Sequence, residues 1–150
     1  MKAVIMAGGE GTRLRPLTSN VPKPMMPLAN RPMMEHILDL LKQHGFEEVV
    51  VTVAFMANHI RNWFGDGSDF GIRMVYATEE TPLGTAGSVR NAMDELTEPF
   101  LVISGDVLTD VDLTKIVAAH KEKKALATIG LIPVSYTHLR AHETSDDISY

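Results

Sequence analysis

The valine-rich run from Glu48 to Phe55 constrains the fold more than any other stretch of the chain. It is too short and too uniformly apolar to be half exposed, so it predicts a strand buried on both faces, the kind found in parallel sheets covered by helices. Further strands are predicted at Ala3-Val4-Ile5-Met6, Ile72 to Thr78, Phe100 to Ser104 and Ala125 to Val134. Helical patterns fall between them. Pro32 suits a first helical position, and Met34, Ile37, Leu38 and Leu41 recur at i, i+3, i+4, i+7 until Gly45 stops the pattern. A shorter helix is predicted from Asn58 to Phe64, ending at Gly65, and another from Thr85 to Leu96 with Ala86, Val89, Met93 and Leu96 on one side. Asp112 can cap a last helix carrying Leu113, Ile116 and Val117. Strands and helices alternating this regularly imply right-handed crossovers and an α/β fold, a doubly wound and mainly parallel sheet.

In such sheets ligands gather at the carboxyl ends of the strands. Three polar segments leave those ends: the glycine-rich stretch after the first strand, Glu79 to Gly87 after the third, and Gly105-Asp106 after the fourth. The first is the most informative. It reads Gly8-Gly9-Glu10-Gly11-Thr12-Arg13-Leu14-Arg15-Pro16-Leu17-Thr18, followed at once by Pro22-Lys23-Pro24. Glycines let backbone N–H groups approach a ligand closely, and a concavity of amides suits a phosphate. Arg13, Arg15 and Lys23 add cations on the same stretch, Arg able to grip phosphate in bidentate fashion and Lys acting as a compact point charge. No helical or alternating pattern runs from these glycines to Pro27, and such a long patternless connection in a compact domain is usually functional or disordered. Four of the chain's eight prolines stiffen it, which favours function. Two familiar phosphate loops are excluded. Leu14 stands where a dinucleotide fingerprint needs its third glycine, and the Gly-Lys-Ser/Thr end of a Walker loop is missing.

With its Gly-Gly-x-Gly-Thr-Arg-Leu-x-Pro-Leu-Thr stretch and following Pro-Lys-Pro, the chain resembles the sugar-phosphate nucleotidyltransferase family over residues 1 to about 134. Within that family it is most similar to the mannose-1-phosphate guanylyltransferases (GDP-mannose pyrophosphorylases). The resemblance implies a Rossmann-like nucleotidyltransferase fold, here truncated, and transfer of a nucleotidyl group from an NTP, GTP in this reading, to mannose 1-phosphate. It further implies that Gly8, Gly9, Gly11 and Thr12 contact the nucleotide, that Arg13 holds the departing pyrophosphate, and that Lys23 bridges the α-phosphate and the sugar phosphate. Asp106 matches the family's ligand for Mg2+, the expected cofactor. A lone Gly-Asp pair is more often a cap; position after a buried strand and the family match together give the metal reading.

Glu79-Glu80-Thr81-Pro82-Leu83-Gly84-Thr85-Ala86-Gly87 resembles the family's base-reading segment, which makes Gly84 and Thr85 nucleotide-binding candidates. A carboxylate here has a further use. Guanine presents two adjacent donors, N1–H and the 2-amino group, which one carboxylate can accept together, whereas uracil and thymine present a single ring N–H. Glu79 is therefore the expected guanine reader, against the alternative of a solvated glutamate. Glucose-1-phosphate thymidylyl- or uridylyltransferase activity remains the alternative within the class, and a non-catalytic nucleotide-sugar-binding homologue the alternative outside it. The family carries a second metal-binding aspartate and most of the sugar pocket later in its sequence, with no counterpart here. Residues 1 to 150 alone are expected to bind nucleotide weakly and turn over little.

The 150 residues suit one domain, and 45% hydrophobic with 22% charged residues lies in the globular range. A formal charge of −5 argues against general nucleic-acid or membrane-surface binding, which needs a basic face. The absence of cysteine removes thiol chemistry and suits a cytoplasmic protein. The longest apolar stretch, Val49 to Ala57, is too short to span a bilayer. A homo-oligomer is allowed at full length. From Val134 to Thr144 the sequence resembles a sequencing-adapter read-through, so 1–134 is expected to be native and 135–150 a non-native tail. His138, His142 and Glu143 do not form a zinc motif and are expected to be incidental.

Overall fold

A computed structural model of the protein describes residues 1–131. The tail and its two histidines lie outside them. Met1–Leu113 forms one compact unit and the chain from Thr114 a second. The first unit opens with strand β1 (Ala3–Met6), then a two-residue hairpin of β2 (Pro27–Leu28) and β3 (Arg31–Pro32) leading into helix α1 (Met33–Gln43). Strand β4 (Glu48–Val53), helix α2 (Ala57–Phe64), strand β5 (Arg73–Thr78), helix α3 (Gly84–Asn91) and strand β6 (Leu101–Ser104) follow.

The main sheet has the order β5-β4-β1-β6 with every neighbouring pair parallel. Val4 stands opposite Val50 and Val102, and Met6 opposite Thr52 and Ser104. The chain winds outward from β1 through β4 to β5, then crosses back to place β6 on the other flank of β1. Right-handed crossovers then put α1 and α2 on one face and α3 on the other, the doubly wound arrangement expected from the alternation of elements. Burial agrees: Val49, Val50, Val51 and Val53 are all fully buried, on both faces of β4. On the α3 face, Val4 and Val50 pack with Ala92 and Leu96, flanked by Ala77 and Phe100. Helix α1 buries the predicted stripe of Met34, Ile37, Leu38 and Leu41.

Three local expectations change. Pro32 is not the first helical residue; hairpin pairing with Pro27 holds it extended at ψ 140°, and α1 starts at Met33. The helix expected to reach Leu96 ends at Asn91 and continues as a 3-10 turn, Met93–Glu95. Its buried side is Ser88, Ala92 and Leu96, while Ala86 and Met93 are exposed. The Ser88 hydroxyl satisfies itself on the Gly84 carbonyl (2.7 Å), so a polar residue faces inward without penalty. The third change is in the second unit, where the described residues of the run from Ala125 form no strand. After helix α4 (Leu113–Lys123) the chain turns through Lys124 at φ 47°, and His120 Nδ1 hydrogen-bonds Thr128 Oγ1 (2.9 Å). Leu126, Ile129 and Leu131 are largely exposed, so apolar composition alone did not make a strand of these residues.

Among the described residues no helix is long and apolar enough to cross a membrane.

Candidate functional site

The strand order reverses between β1 and β6, and in open α/β sheets the crevice at such a reversal is where ligands sit. The glycine stretch leaves one side of this crevice and Gly105-Asp106 the other. What looked patternless is a series of tight turns. Thr12–Leu14 and Lys23–Met25 are 3-10 turns, closed by Leu14 N–H to the Gly11 carbonyl (2.9 Å) and Met25 N–H to the Pro22 carbonyl (2.8 Å). Pro22 and Pro24 are buried, and the Arg15–Pro16 peptide is cis.

Lys23 and Asp106, 83 positions apart, form an ion pair between Nζ and Oδ2. Asp106 Oδ1 accepts a hydrogen bond from the Ser104 hydroxyl. The pair is 32% and 28% exposed at its side chains, so it is shielded yet open to a ligand. Burial by itself would raise the Asp106 carboxyl, but the hydrogen bonds from Lys23 and Ser104 and the Lys23 charge outweigh it and hold it below its ordinary value of 3.8. Asp106 is therefore ionised throughout the neutral range. The sign follows: the pair's stabilisation is present above pH 3.8 and is lost as the pH falls through the lowered folded value. An NMR titration should find Asp106 below 3.8 and should find it raised in Lys23→Met, where burial no longer meets a cation. An unchanged midpoint would contradict the pairing.

Gly105 explains how the two groups meet. A Cβ there would lie 2.9 Å from the Met6 carbonyl oxygen, 3.2 Å from Ile5 Cγ2 and 3.3 Å from Pro24 Cγ. Only a residue without a side chain lets the end of β6 sit against both β1 and the segment carrying Lys23.

Gly8 makes a second close approach. Its missing Cβ would stand 3.2 Å from Glu79 Oε1 and 3.3 Å from Ala54 Cβ, so the glycine stretch and the predicted base-reading segment touch here. Glu79 is 7% exposed. Its Oε2 accepts a long hydrogen bond from Leu83 N–H (3.4 Å), while Oε1 accepts none among the described residues. A buried carboxylate oxygen with no donor is costly unless a ligand provides one.

Gly11 sits at φ 63°, in the left-handed region, with Thr18 Cγ2 3.1 Å and Lys23 Cβ 3.4 Å from where its side chain would begin. Gly11, Lys23 and Asp106 thus form one connected group, and Gly8 with Glu79 another. Gly9, Thr12 and Arg13 are exposed on the stretch between, and Arg13 makes no ion pair among the described residues, whereas Arg15 pairs with Glu10 (3.5 Å). Gly84, at φ 68°, opens α3 with Thr85 exposed beside it. Sequence reasoning assigned no role to Thr18, Ser104 or Gly105. Ser104 and Gly105 adjoin Asp106 in the string Ser-Gly-Asp, and Thr18 closes the glycine stretch, so adjacency was the available signal.

Among the described residues no group of three or more His, Asp or Glu side chains could hold a metal. Asp106 offers one hard carboxylate beside the exposed glycine turn. That donor set suits Mg2+, which takes one or two carboxylates and completes its shell with water and substrate phosphates. A separate cavity of about 290 Å³ lies at the amino ends of the strands, lined by Lys2, Glu47, Glu48 and Glu98 among others, and contains none of these groups.

Residues 2–138 match the model of the nucleotidyl transferase family. The chain belongs to that family. Among curated nucleotidyltransferases it is 42% identical over 141 residues to the UTP–glucose-1-phosphate uridylyltransferase of Synechocystis sp., covering 86% of this chain and 36% of that enzyme. It is 40% identical over 133 residues to the mannose-1-phosphate guanylyltransferase of Mycobacterium tuberculosis, covering 88% of this chain and 37% of that enzyme. The chain thus spans little more than a third of the length of these two enzymes. In three dimensions it is similar to the crystal structure of HddC from Yersinia pseudotuberculosis complexed with GMP-PN, with a TM-score of 0.72 and 28% identity over 79% of this chain and 53% of that one.

Proposed function

We propose that this chain is the nucleotide-binding part of a sugar-1-phosphate nucleotidyltransferase that takes GTP and mannose 1-phosphate to GDP-mannose and pyrophosphate. The observation that carries the reading is the Lys23–Asp106 pair beside the exposed glycine turn, at the reversal of strand order. In this reaction an oxygen of the sugar phosphate attacks the α-phosphorus, the bond from that phosphorus to the bridging β-oxygen breaks, and pyrophosphate leaves. No protein nucleophile is needed. The protein's work is to align two polyanions and offset the charge that gathers on phosphorus and leaving group.

Gly8, Gly9, Gly11 and Thr12 bring backbone to the triphosphate. Arg13, exposed and without an acidic partner among the described residues, takes the departing pyrophosphate. Lys23 exchanges its contact with Asp106 for the α-phosphate and the incoming sugar phosphate, and Asp106 holds Mg2+, which when bound neutralises the triphosphate. Gly84 and Thr85 flank the base. An assay for pyrophosphate released from GTP and mannose 1-phosphate by the complete gene product tests the reaction. No release with any pairing of GTP, UTP or dTTP with mannose 1-phosphate or glucose 1-phosphate would overturn it. For residues 1–150 alone, calorimetry should detect nucleotide binding while turnover stays at background; robust catalysis by that piece would refute the division of labour.

The choice of guanine rests on Glu79. Its buried Oε1 accepts no hydrogen bond among the described residues, and guanine brings two donors. In Glu79→Gln an amide NH2 replaces one acceptor and faces a guanine donor, so affinity for GTP relative to UTP should drop about tenfold or more. An unchanged ratio would dispose of the assignment. The uridylyl alternative, with glucose 1-phosphate, is favoured by the 42% identity to the Synechocystis enzyme and is read out by the same comparison.

A further inference from the structure

We propose that Thr18 is a positioning residue that sets the orientation of the Gly11–Thr12 peptide for gripping the triphosphate, an inference that rests on the function proposed above. Thr18 is wholly buried, although Leu17 is 64% exposed and every residue from Thr12 to Leu17, like Ser19 and Asn20 after it, is exposed. A hydroxyl drawn inward from so wet a stretch must be hydrogen-bonded to be tolerated. It is: Thr18 Oγ1 donates to the Gly11 carbonyl at 2.7 Å across seven residues.

The rest of the geometry gives that bond a purpose. The Gly11 carbonyl also accepts from Leu14 N–H (2.9 Å), so both of its lone-pair directions are used and it is turned toward the protein. In a trans peptide the N–H points opposite to the C=O, so the Thr12 N–H is turned the other way, toward the exposed side of the turn. Glycine at φ 63° offers little resistance of its own to a peptide flip. The Thr18 methyl lies 3.1 Å from the position a Gly11 Cβ would take, and Lys23 Cβ lies 3.4 Å from it. Thr18 therefore fills the space beside Gly11 from one side as Lys23 does from another, tying the amide-bearing turn to the residue that pairs with Asp106. It touches no phosphate itself.

Thr18→Val keeps the shape and removes the hydroxyl; Thr18→Ser keeps the hydroxyl and removes the methyl. Hydrogen exchange on the 150-residue chain should show the amides of residues 8–18 exchanging about tenfold faster in Thr18→Val, with β1, β4 and α1 unchanged and Thr18→Ser close to the parent. Calorimetry with Mg2+ should show affinity for GTP falling about tenfold in Thr18→Val, affinity for GMP changing by less than about twofold, and Thr18→Ser restoring GTP binding. Unchanged exchange in the turn, equal GTP affinity in parent and Thr18→Val, or equal losses for GTP and GMP would each overturn the assignment. Parent chain that binds neither GTP, UTP nor dTTP would overturn the proposed function and this inference with it, a result distinct from a parent that binds and a variant that does not differ.

Discussion

Replacing Lys23 by methionine in the complete gene product should lower kcat about a hundred- to a thousandfold, the usual loss when one preorganised charge donor is taken from a developing anion. The side-chain stem survives, so its packing beside Gly11 is kept, and only the ammonium is lost. The lysine's present partner is Asp106, which turns the substitution into a two-sided test. With the ammonium gone, the Asp106 carboxylate is freed for a cation, so Mg2+ should bind at least as tightly as before while turnover collapses. A loss of metal binding and turnover together would mean that Lys23 acts only by holding Asp106 in place. Turnover that survives would remove Lys23 from the mechanism. Stability should fall by less than the roughly 3–5 kcal/mol typical of breaking a fully buried pair, because both side chains keep about a third of their surface in water.

Gly105→Ala should disturb the fold and the site at once. The added methyl would meet the Met6 carbonyl oxygen at 2.9 Å, and that oxygen belongs to the inner strand β1 and cannot swing aside like the end of a flexible side chain. It would also press on Pro24, next to Lys23. Overpacking of this kind costs about 1–3 kcal/mol, which for a domain near this size lowers Tm by roughly 3–10 °C. The end of β6 must move outward, and Asp106 with it. The expected signature is a lowered Tm together with weaker Mg2+-dependent GTP binding and loss of the Lys23–Asp106 pair. Gly9→Ala is the control: nothing lies within 4 Å of a Cβ at that position, so its effect on Tm should be small. A Gly105→Ala protein with unchanged Tm and unchanged metal dependence would contradict the close approach between β6 and β1.

These two tests lie on the same physical link. Lys23 and Asp106 are far apart in the chain and come together because β6 returns to the flank of β1. The glycine stretch stands on one side of that junction and the Ser-Gly-Asp string on the other. Ser104 holds one oxygen of Asp106 while Lys23 holds the other, so the carboxylate is oriented before any ligand arrives.

The repeating features of the chain were legible because they are local. Valine-rich runs of strand length, the 3.6-residue stripe of α1 and the stops at Gly45 and Gly65 each report on a few neighbouring residues, and together they implied a parallel sheet and its ligand-bearing end. The glycine stretch and Pro-Lys-Pro pointed to the family for the same reason. Local signals misled in two places: Ser88 faces inward because the Gly84 carbonyl one helical turn back satisfies its hydroxyl, and the described residues of the apolar run from Ala125 form no strand. Tertiary structure alone decided that Glu79 reaches Gly8, that Thr18 turns inward to Gly11, and that Gly105 has no room for a methyl group. The first and last of those facts depend on the order in which strands lie side by side, and the second on how the turns after β1 close on themselves; periodicity along a chain carries no record of either.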